Sequence, residues 1–274
     1  MLVSASFIAK AQQMQCLTPE QEETLIKSQD QSNSSLISCL SALERADETL
    51  PLVTIKANIH YIAYNDDNGN LVNFVPGPET DTHWENGNYY GRRFIEFANN
   101  DRFKAFEPNP IGLADFLGDS RIRIELYSDP NNTADQHGGI WYWDAEPEQF
   151  PYEGEVMNII VKTNGSSPIS GSISGTNGVI IYDWHREASI LQDNEYDYKV
   201  RVFLHELAHL AGLCHSFACN NGCPDINEVA ECNNPGVGCA SSCGNDTKAI
   251  SPCQWAAIYE FLYLDRKPFV TVAG

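Results

Sequence analysis

Residues 205–215 constrain the fold of this chain more than any other part of its sequence. They read His-Glu-Leu-Ala-His-Leu-Ala-Gly-Leu-Cys-His, and histidines four residues apart lie on one face of a helix. Gly212 suits the left-handed conformation that ends a helix and turns the chain. His215, three residues further on, can then return toward His205 and His209. The pattern predicts a helix over about residues 198–213, a turn at Gly212 and three convergent imidazoles.

Three convergent imidazoles form a ligand set for zinc. Zinc takes nitrogen ligands in a roughly tetrahedral arrangement, and catalytic sites keep one position for water. The metal lowers the pKa of that water to about 7, and a neighbouring carboxylate can then remove its proton. We therefore predict one catalytic Zn²⁺ held by His205, His209 and His215, with Glu206 as the general base for attack on a peptide bond.

Other interpretations of this segment stay open. An ordinary amphipathic helix would explain its apolar residues, but not three histidines, a glutamate and a glycine in this register. A secreted zinc-binding or adhesion module without turnover is the main alternative, although the intact Glu206 favours an enzyme. A zinc hydrolase acting on another kind of amide is a third. The remaining histidines are interpreted as structural or surface residues: His60, His83, His137 and His185.

The charge of the chain limits its partners. The 274 residues carry a formal net charge of -20, which opposes binding to nucleic acid and to anionic membrane surfaces. No run of residues approaches the roughly 20 apolar positions that a membrane-spanning helix needs. We expect a monomer that acts on protein or peptide substrates. Ca²⁺ could bind acidic loops at residues 66–70 and 129–135, but solvated acidic turns are the favoured interpretation.

The N-terminus and the cysteines favour a secreted, extracellular protein. An apolar stretch over residues 2–9 and the sequence Ala9-Lys10-Ala11 fit a signal peptide over residues 1–11 that lacks its basic region. Six of the nine cysteines lie between Cys219 and Cys253 among small polar residues, where disulfides are the natural stabilising element. A structural zinc site is the alternative, since the two pairs Cys219/Cys223 and Cys239/Cys243 have suitable spacing.

The pattern of apolar residues predicts an α+β fold. Residues 12–51 are predicted to be a helical extension or pro-segment, and residues 52–274 the catalytic domain, with a C-terminal subdomain from about residue 216. Alternating or continuous apolar runs predict five strands, at residues 53–62, 122–127, 140–143, 158–161 and 179–182. A Ser/Gly-rich segment over residues 167–178 suits an irregular edge strand. Further helices are predicted over residues 89–105 and from Ser251 onward, where Ser, Pro and Gln form a helix start.

Through its motif at residues 205–215, the chain resembles the metzincin clan of zinc endopeptidases, and most closely its pappalysin-like and related bacterial secreted members. The motif at residues 205–215 carries the resemblance, supported by the strand order before it and by the segment beginning at Ser251. The resemblance implies a twisted mixed sheet over an active-site helix, a substrate running along the edge strand, and a Cys-rich C-terminal subdomain below the zinc.

The chain departs from that family at one position. Metzincins carry a methionine in a turn beneath the zinc, whereas Met1, Met14 and Met157 all precede the motif here. The resemblance places this turn within residues 233–247, with another residue under the metal. It also raises the possibility that Cys16 confers latency by occupying the fourth zinc position. A disulfide between Cys16 and Cys39 is the preferred interpretation.

Overall fold

The computed structural model describes residues 51–65, 68–83, 85–103, 119–163, 171–182, 195–212, 252–263 and 267–273. Its strands are β1 (Leu52–Ile62), β2 (Tyr64–Asn65), β3 (Leu71–Val72), β4 (Ile122–Leu126), β5 (Ile140–Trp143), β6 (Met157–Lys162), β7 (Gly171–Ser174), β8 (Gly178–Tyr182) and β9 (Val270–Ala273). Its α-helices are α1 (Gly87–Phe97), α2 (Glu195–Leu210) and α3 (Pro252–Tyr263), and a π-helical turn (Ala98–Arg102) extends α1.

Seven of these strands form one mixed, mainly parallel sheet centred on β1. The strand path is β4-β1-β6-β8-β7, and β5 and β9 also pair with β1. The strands β4, β5 and β6 run parallel to β1, and β8 runs parallel to β6. By contrast, β7 and β9 are antiparallel to their partners. The predicted mixed sheet with few helices is confirmed in the described residues, and β7 is the predicted edge strand.

Alternation along β1 divides the sheet into two faces. Val53, Ile55, Ala57, Ile59 and Tyr61 are all fully buried and point toward the three helices; we call this side the helix face. The intervening residues Asn58, His60 and Ile62 point the other way, where Ile62 packs with Ile160 and Ile180; we call this side the far face. From Ala57 onward both sides of β1 are buried, so the polar residues Asn58 and His60 are enclosed on the far face.

Helix α1 begins at a well-formed cap and packs closely on the sheet. The Asn86 side chain accepts hydrogen bonds from the backbone N–H groups of Asn88 and Tyr89, at 3.1 and 3.3 Å, which satisfies two donors of the first turn. Gly87 and Gly91 lie four residues apart, and a Cβ on either would contact side chains of β1 and β5. The ring of Phe94 meets that of Phe203 edge to face at 5.7 Å between centroids, which ties α1 to α2.

The end of the described chain closes onto its beginning. Strand β9 pairs with the first residues of β1, and the Tyr259 hydroxyl of α3 donates to the Pro51 carbonyl at 2.8 Å. The sequence predicted α3 but neither β9 nor the short hairpin of β2 and β3. The predicted signal peptide (residues 1–11), residues 12–50 of the predicted extension over residues 12–51, and the Cys-rich region over residues 213–251 lie outside the described residues.

Candidate metal centre

Helix α2 carries the first two predicted ligands and the predicted base. Its apolar residues recur at the i, i+3, i+4 and i+7 spacing of a helix that covers a core: Val200, Phe203, Leu204 and Leu207 are each at most 4% exposed. The helix packs against β7, β8 and α1. Its position on the sheet is further fixed by Lys199, which is fully buried and donates from Nζ to the Tyr182 carbonyl at the end of β8, at 3.0 Å.

The two histidines of α2 bring their Nε2 atoms together. Those of His205 and His209 are 3.0 Å apart, and the rings lie nearly perpendicular, with centroids 4.6 Å apart. Both residues are half-buried. One helical turn therefore places two nitrogen donors at a common point on the surface of α2, as the spacing of four residues predicts.

This arrangement fits zinc. Two Zn–N bonds of ~2.05 Å meeting at a tetrahedral angle place their nitrogens ~3.3 Å apart, close to the observed 3.0 Å. A small rotation of either ring would open the remaining gap, and imidazole is a preferred zinc ligand. Within the described ranges, however, no group of three His, Cys, Asp or Glu residues gathers around one point. The third predicted ligand, His215, lies outside those ranges.

Glu206 lies on the neighbouring side of α2, against the edge strand. It is only 6% exposed, and burial raises the pKa of its carboxyl to about 8, because a carboxylate loses solvation in an apolar environment. A Cβ built on Gly171 of β7 would lie 2.9 Å from Glu206 Oε1 and 3.0 Å from its Cγ. The predicted base thus packs directly on the backbone of β7. Sequence reasoning missed Gly171, whose one signal was its place in the Ser/Gly-rich edge segment.

Gly212 has the backbone conformation that the motif predicts. Its φ is +83°, and its N–H donates to the His209 carbonyl at 2.9 Å. The α-helix itself ends at Leu210, a little before the predicted end. A left-handed residue at this point turns the chain away from the helix axis, so the prediction of a turn at Gly212 is confirmed.

The other histidines in the described ranges are held by different contacts. His60 is fully buried on the far face, between Asn158 and Trp143. His83 is exposed in the loop before α1, and His137 meets the Tyr142 ring edge to face. His185 lies outside the described residues.

The acidic loop at residues 129–135 is a set of side-chain-supported turns. Asp129 Oδ1 accepts from the Asn131 N–H at 2.8 Å, and Asn132 Oδ1 accepts from the Ala134 N–H at 3.0 Å. Asp135 Oδ1 accepts from the Gly139 N–H at 2.9 Å. The first two of these bonds are typical of Asx turns. Asp66 and Asp67 of the other acidic loop lie outside the described residues.

Comparisons with known proteins identify no family for this chain. It matches no protein-family model and no curated protein. Among solved structures it is similar to mature mirolysin from Tannerella forsythia in complex with a cleaved peptide, with 17% identity and a TM-score of 0.47, over 79% of this chain and 93% of that one. A similarity of this size carries no argument about activity. No helix within the described ranges is long and apolar enough to cross a membrane.

Proposed function

We propose that this chain is a zinc-dependent endopeptidase of the metzincin type. The observation that carries the proposal is the pairing of His205 and His209 Nε2 at 3.0 Å on one helix, beside a buried Glu206 and ahead of a left-handed Gly212. In the proposal His205, His209 and His215 hold the ion, which supplies Lewis acidity toward water and toward a peptide carbonyl.

Glu206 is the proton carrier of the reaction. A cation held by the three histidines would favour the charged form of Glu206. The carboxylate accepts the water proton as the water oxygen forms its bond to the carbonyl carbon. It then delivers that proton to the amide nitrogen as the C–N bond breaks. The products are a carboxylic acid and an amine, and the Glu206 carboxylate is restored. In the proposal, a water at the metal lies within reach of Glu206, which directly follows His205 on α2.

The position of Glu206 also favours an extended peptide as substrate. Strand β7 ends the strand path of the described sheet, and Glu206 packs on its first residue, Gly171. An extended peptide can bind a strand edge through main-chain hydrogen bonds. A peptide bound beside β7 would pass close to the Glu206 carboxylate.

The proposal includes the setting in which the enzyme acts. We propose that it is secreted, acts extracellularly as a monomer, and uses disulfides to hold the Cys-rich segment. The support is the nine cysteines and the apolar stretch at residues 2–9. Oxidising compartments preserve disulfides, whereas the reducing cytosol does not.

The decisive experiment measures cleavage of a quenched casein substrate by the wild-type chain and by Glu206→Gln, with bound zinc quantified in both. Glutamine keeps the size of the side chain but cannot accept the proton. We expect equal zinc content and a loss of kcat of roughly 100- to 10,000-fold, the usual contribution of a general base. His83→Ala, a change in an exposed loop residue, is the matched control and should cleave like wild type.

Three other outcomes would change the assignment. Zinc bound by both proteins with no cleavage by either would identify a zinc-binding module. Equal cleavage by both would remove Glu206 from the role of base. Glu206-dependent hydrolysis of cell-wall amides, with protein substrates left intact, would identify a zinc hydrolase for a different amide.

A further inference from the structure

We propose that Gly171 is a positioning residue for Glu206, because its missing side chain fixes where the carboxylate lies. This inference rests on the proposed function for its kinetic consequence, but not for its geometry. Gly171 is buried at the start of β7 and pairs with Ile181 of β8. Ile181 is itself fully buried on the helix face. The sheet therefore fixes Gly171 on one side of the contact, and α2 fixes Glu206 on the other.

The contact leaves no room for even one methyl group. A Cβ at Gly171 would lie 2.6 Å from Val202 Cγ1, 2.9 Å from Glu206 Oε1 and 3.0 Å from Glu206 Cγ. Carbon atoms in contact prefer about 3.5–4.0 Å, so each of these neighbours would have to move. Val202 and Glu206 lie four residues apart on the face of α2 that packs on β7.

The side chains of Val202 and Glu206 would respond differently to an added methyl group. Val202 is β-branched and stiff at χ1, and it is 8% exposed in the core, so its displacement would push α2 away from the sheet. Glu206 ends in a flexible chain whose carboxylate can swing away at low cost. A methyl group at position 171 would therefore lower stability mainly by displacing Val202. It would displace the reacting carboxylate by pushing on Glu206.

These two effects can be separated with a second substitution. Gly171→Ala should leave zinc content unchanged and lower kcat about 10- to 100-fold with KM within about twofold, since a displacement of about 1 Å can cost that much. Its Tm should also fall. Adding Val202→Ala removes the Cγ1 contact and leaves both Glu206 contacts. The double variant should regain Tm but not kcat.

A readout that does not require turnover tests the contact itself. In zinc-free protein labelled with ¹³C at glutamate carboxyls, the Glu206 resonance is identified by its loss in Glu206→Gln. We expect that resonance to shift in Gly171→Ala and in the double variant, while the other glutamate resonances stay in place. Ser172→Ala is the matched control, because Ser172 is the next residue of β7 and its Oγ instead meets the Tyr182 hydroxyl at 3.1 Å.

The outcomes distinguish this inference from the proposed function. Recovery of kcat together with Tm in the double variant would show that Gly171 acts only through helix packing, and would overturn the inference. So would an unmoved Glu206 resonance in Gly171→Ala. If the wild-type chain cleaves no peptide, the proposed function fails, while the resonance shift still decides whether Gly171 positions the carboxylate.

Discussion

The two faces of the central sheet each bury a titratable side chain, and they hold it in different ways. On the far face His60 is fully buried, and both ring nitrogens have partners: Trp143 Nε1 donates to Nδ1 at 3.2 Å, and Asn158 Oδ1 lies 3.0 Å from Nε2. Because Nδ1 accepts a hydrogen bond, Nε2 carries the proton and donates to Asn158. On the helix face Glu206 packs instead against Gly171, on the helix that also carries His205 and His209.

Burial shifts both pKa values toward the neutral form. It lowers the pKa of His60 to about 3, against a smaller opposing effect of the Asn158 hydrogen bond. It raises the pKa of Glu206 to about 8, with burial as the cause. A neutral imidazole with two hydrogen bonds is a structural element of the core. The desolvated carboxyl of Glu206 has its proton affinity raised on the same helix as the two convergent imidazoles, where chemistry is proposed. Burial of a polar group therefore indicates a role only once its partners are known.

The largest expected effect is the loss of stability in His60→Ala. The substitution leaves a cavity among Trp141, Trp143 and Phe150, whose rings surround the imidazole, and removes the partner of Asn158. Ring-to-alanine substitutions in cores cost about 3–5 kcal/mol, and we expect a value in that range from urea unfolding of the zinc-free protein. His83→Ala should change stability by less than about 0.5 kcal/mol. A cost below about 1 kcal/mol for His60→Ala would contradict its assignment as a core residue.

Removing a predicted metal ligand should instead weaken zinc binding and leave the stability of the fold unchanged. In structural zinc sites with four protein ligands the apparent binding free energy is about 10–16 kcal/mol, which is about 2.5–4 kcal/mol for each ligand. Replacing His209 by alanine should therefore weaken zinc affinity roughly 100- to 1000-fold, measured by competition with a chromophoric chelator. Zinc-free stability should stay close to wild type, because His209 is half-buried on the surface of α2. His60→Gln is the crossed control and should keep wild-type zinc affinity; a shared loss would mean that the two faces are not independent.

The pH dependence of stability should report the buried histidine. Below pH 6.5 the unfolded chain protonates His60, while the folded protein keeps it neutral down to about pH 3. The unfolded state then binds more protons, so stability falls as pH decreases through this window. Between pH 7 and pH 5 the loss from this group should be about 2 kcal/mol.

Urea unfolding at pH 7 and at pH 5 checks that loss. It compares a parent protein that keeps His60 with its His60→Gln variant. Both proteins should carry Glu206→Gln, because the raised pKa of Glu206 gives a pH slope of opposite sign. The parent should lose about 2 kcal/mol more than the His60 variant. Equal pH slopes in the two proteins would show that His60 titrates normally and is less well buried than the structure places it.

Much of this fold could be predicted from local sequence patterns. The period of β1 and the spacing of apolar residues in α2 predicted a strand and a helix, and Gly212 predicted a left-handed turn that the structure contains. These features depend on residues near one another in the chain, so a pattern can reveal them. The placement of His205 and His209 on one helix face is of the same kind.

The remaining features depend on contacts between distant segments. Strand β9 is short and mostly exposed. It forms because the first residues of β1 leave an edge for it to pair with, and its own sequence contains no clear strand signal. The contact between Gly171 and Glu206 joins residues of a strand and a helix that are separated along the chain. A glycine in a Ser/Gly-rich segment is typical of a loop, and only the packing of α2 on β7 shows why a side chain is excluded there.

The smallest expected effect concerns another glycine on the helix face. A Cβ on Gly91 of α1 would lie 3.0 Å from Ile140 Cδ1 and 3.2 Å from both Ile59 Cδ1 and Tyr61 Oη, which are ends of side chains that can yield. Alanine is also favoured over glycine inside a helix by about 1 kcal/mol. Gly91→Ala should therefore change stability by less than about 1 kcal/mol, with the Glu206 resonance unmoved.

A matched variant at Gly87 tests how much room for a methyl group remains between α1 and the helix face of the sheet. Its Cβ would lie 2.7 Å from Tyr142 Oη and 2.7 Å from Tyr61 Cε2, an atom within an aromatic ring, so Gly87→Ala should cost about 1–3 kcal/mol. If Gly91→Ala lowers stability as much as Gly87→Ala, neither glycine of α1 tolerates an added methyl group against the helix face. The Glu206 carboxyl resonance, and not the loss of stability, would then distinguish Gly171 from Gly87 and Gly91. If Gly91→Ala is neutral and Gly171→Ala alone moves Glu206, the contact with β7 sets the position of the carboxylate.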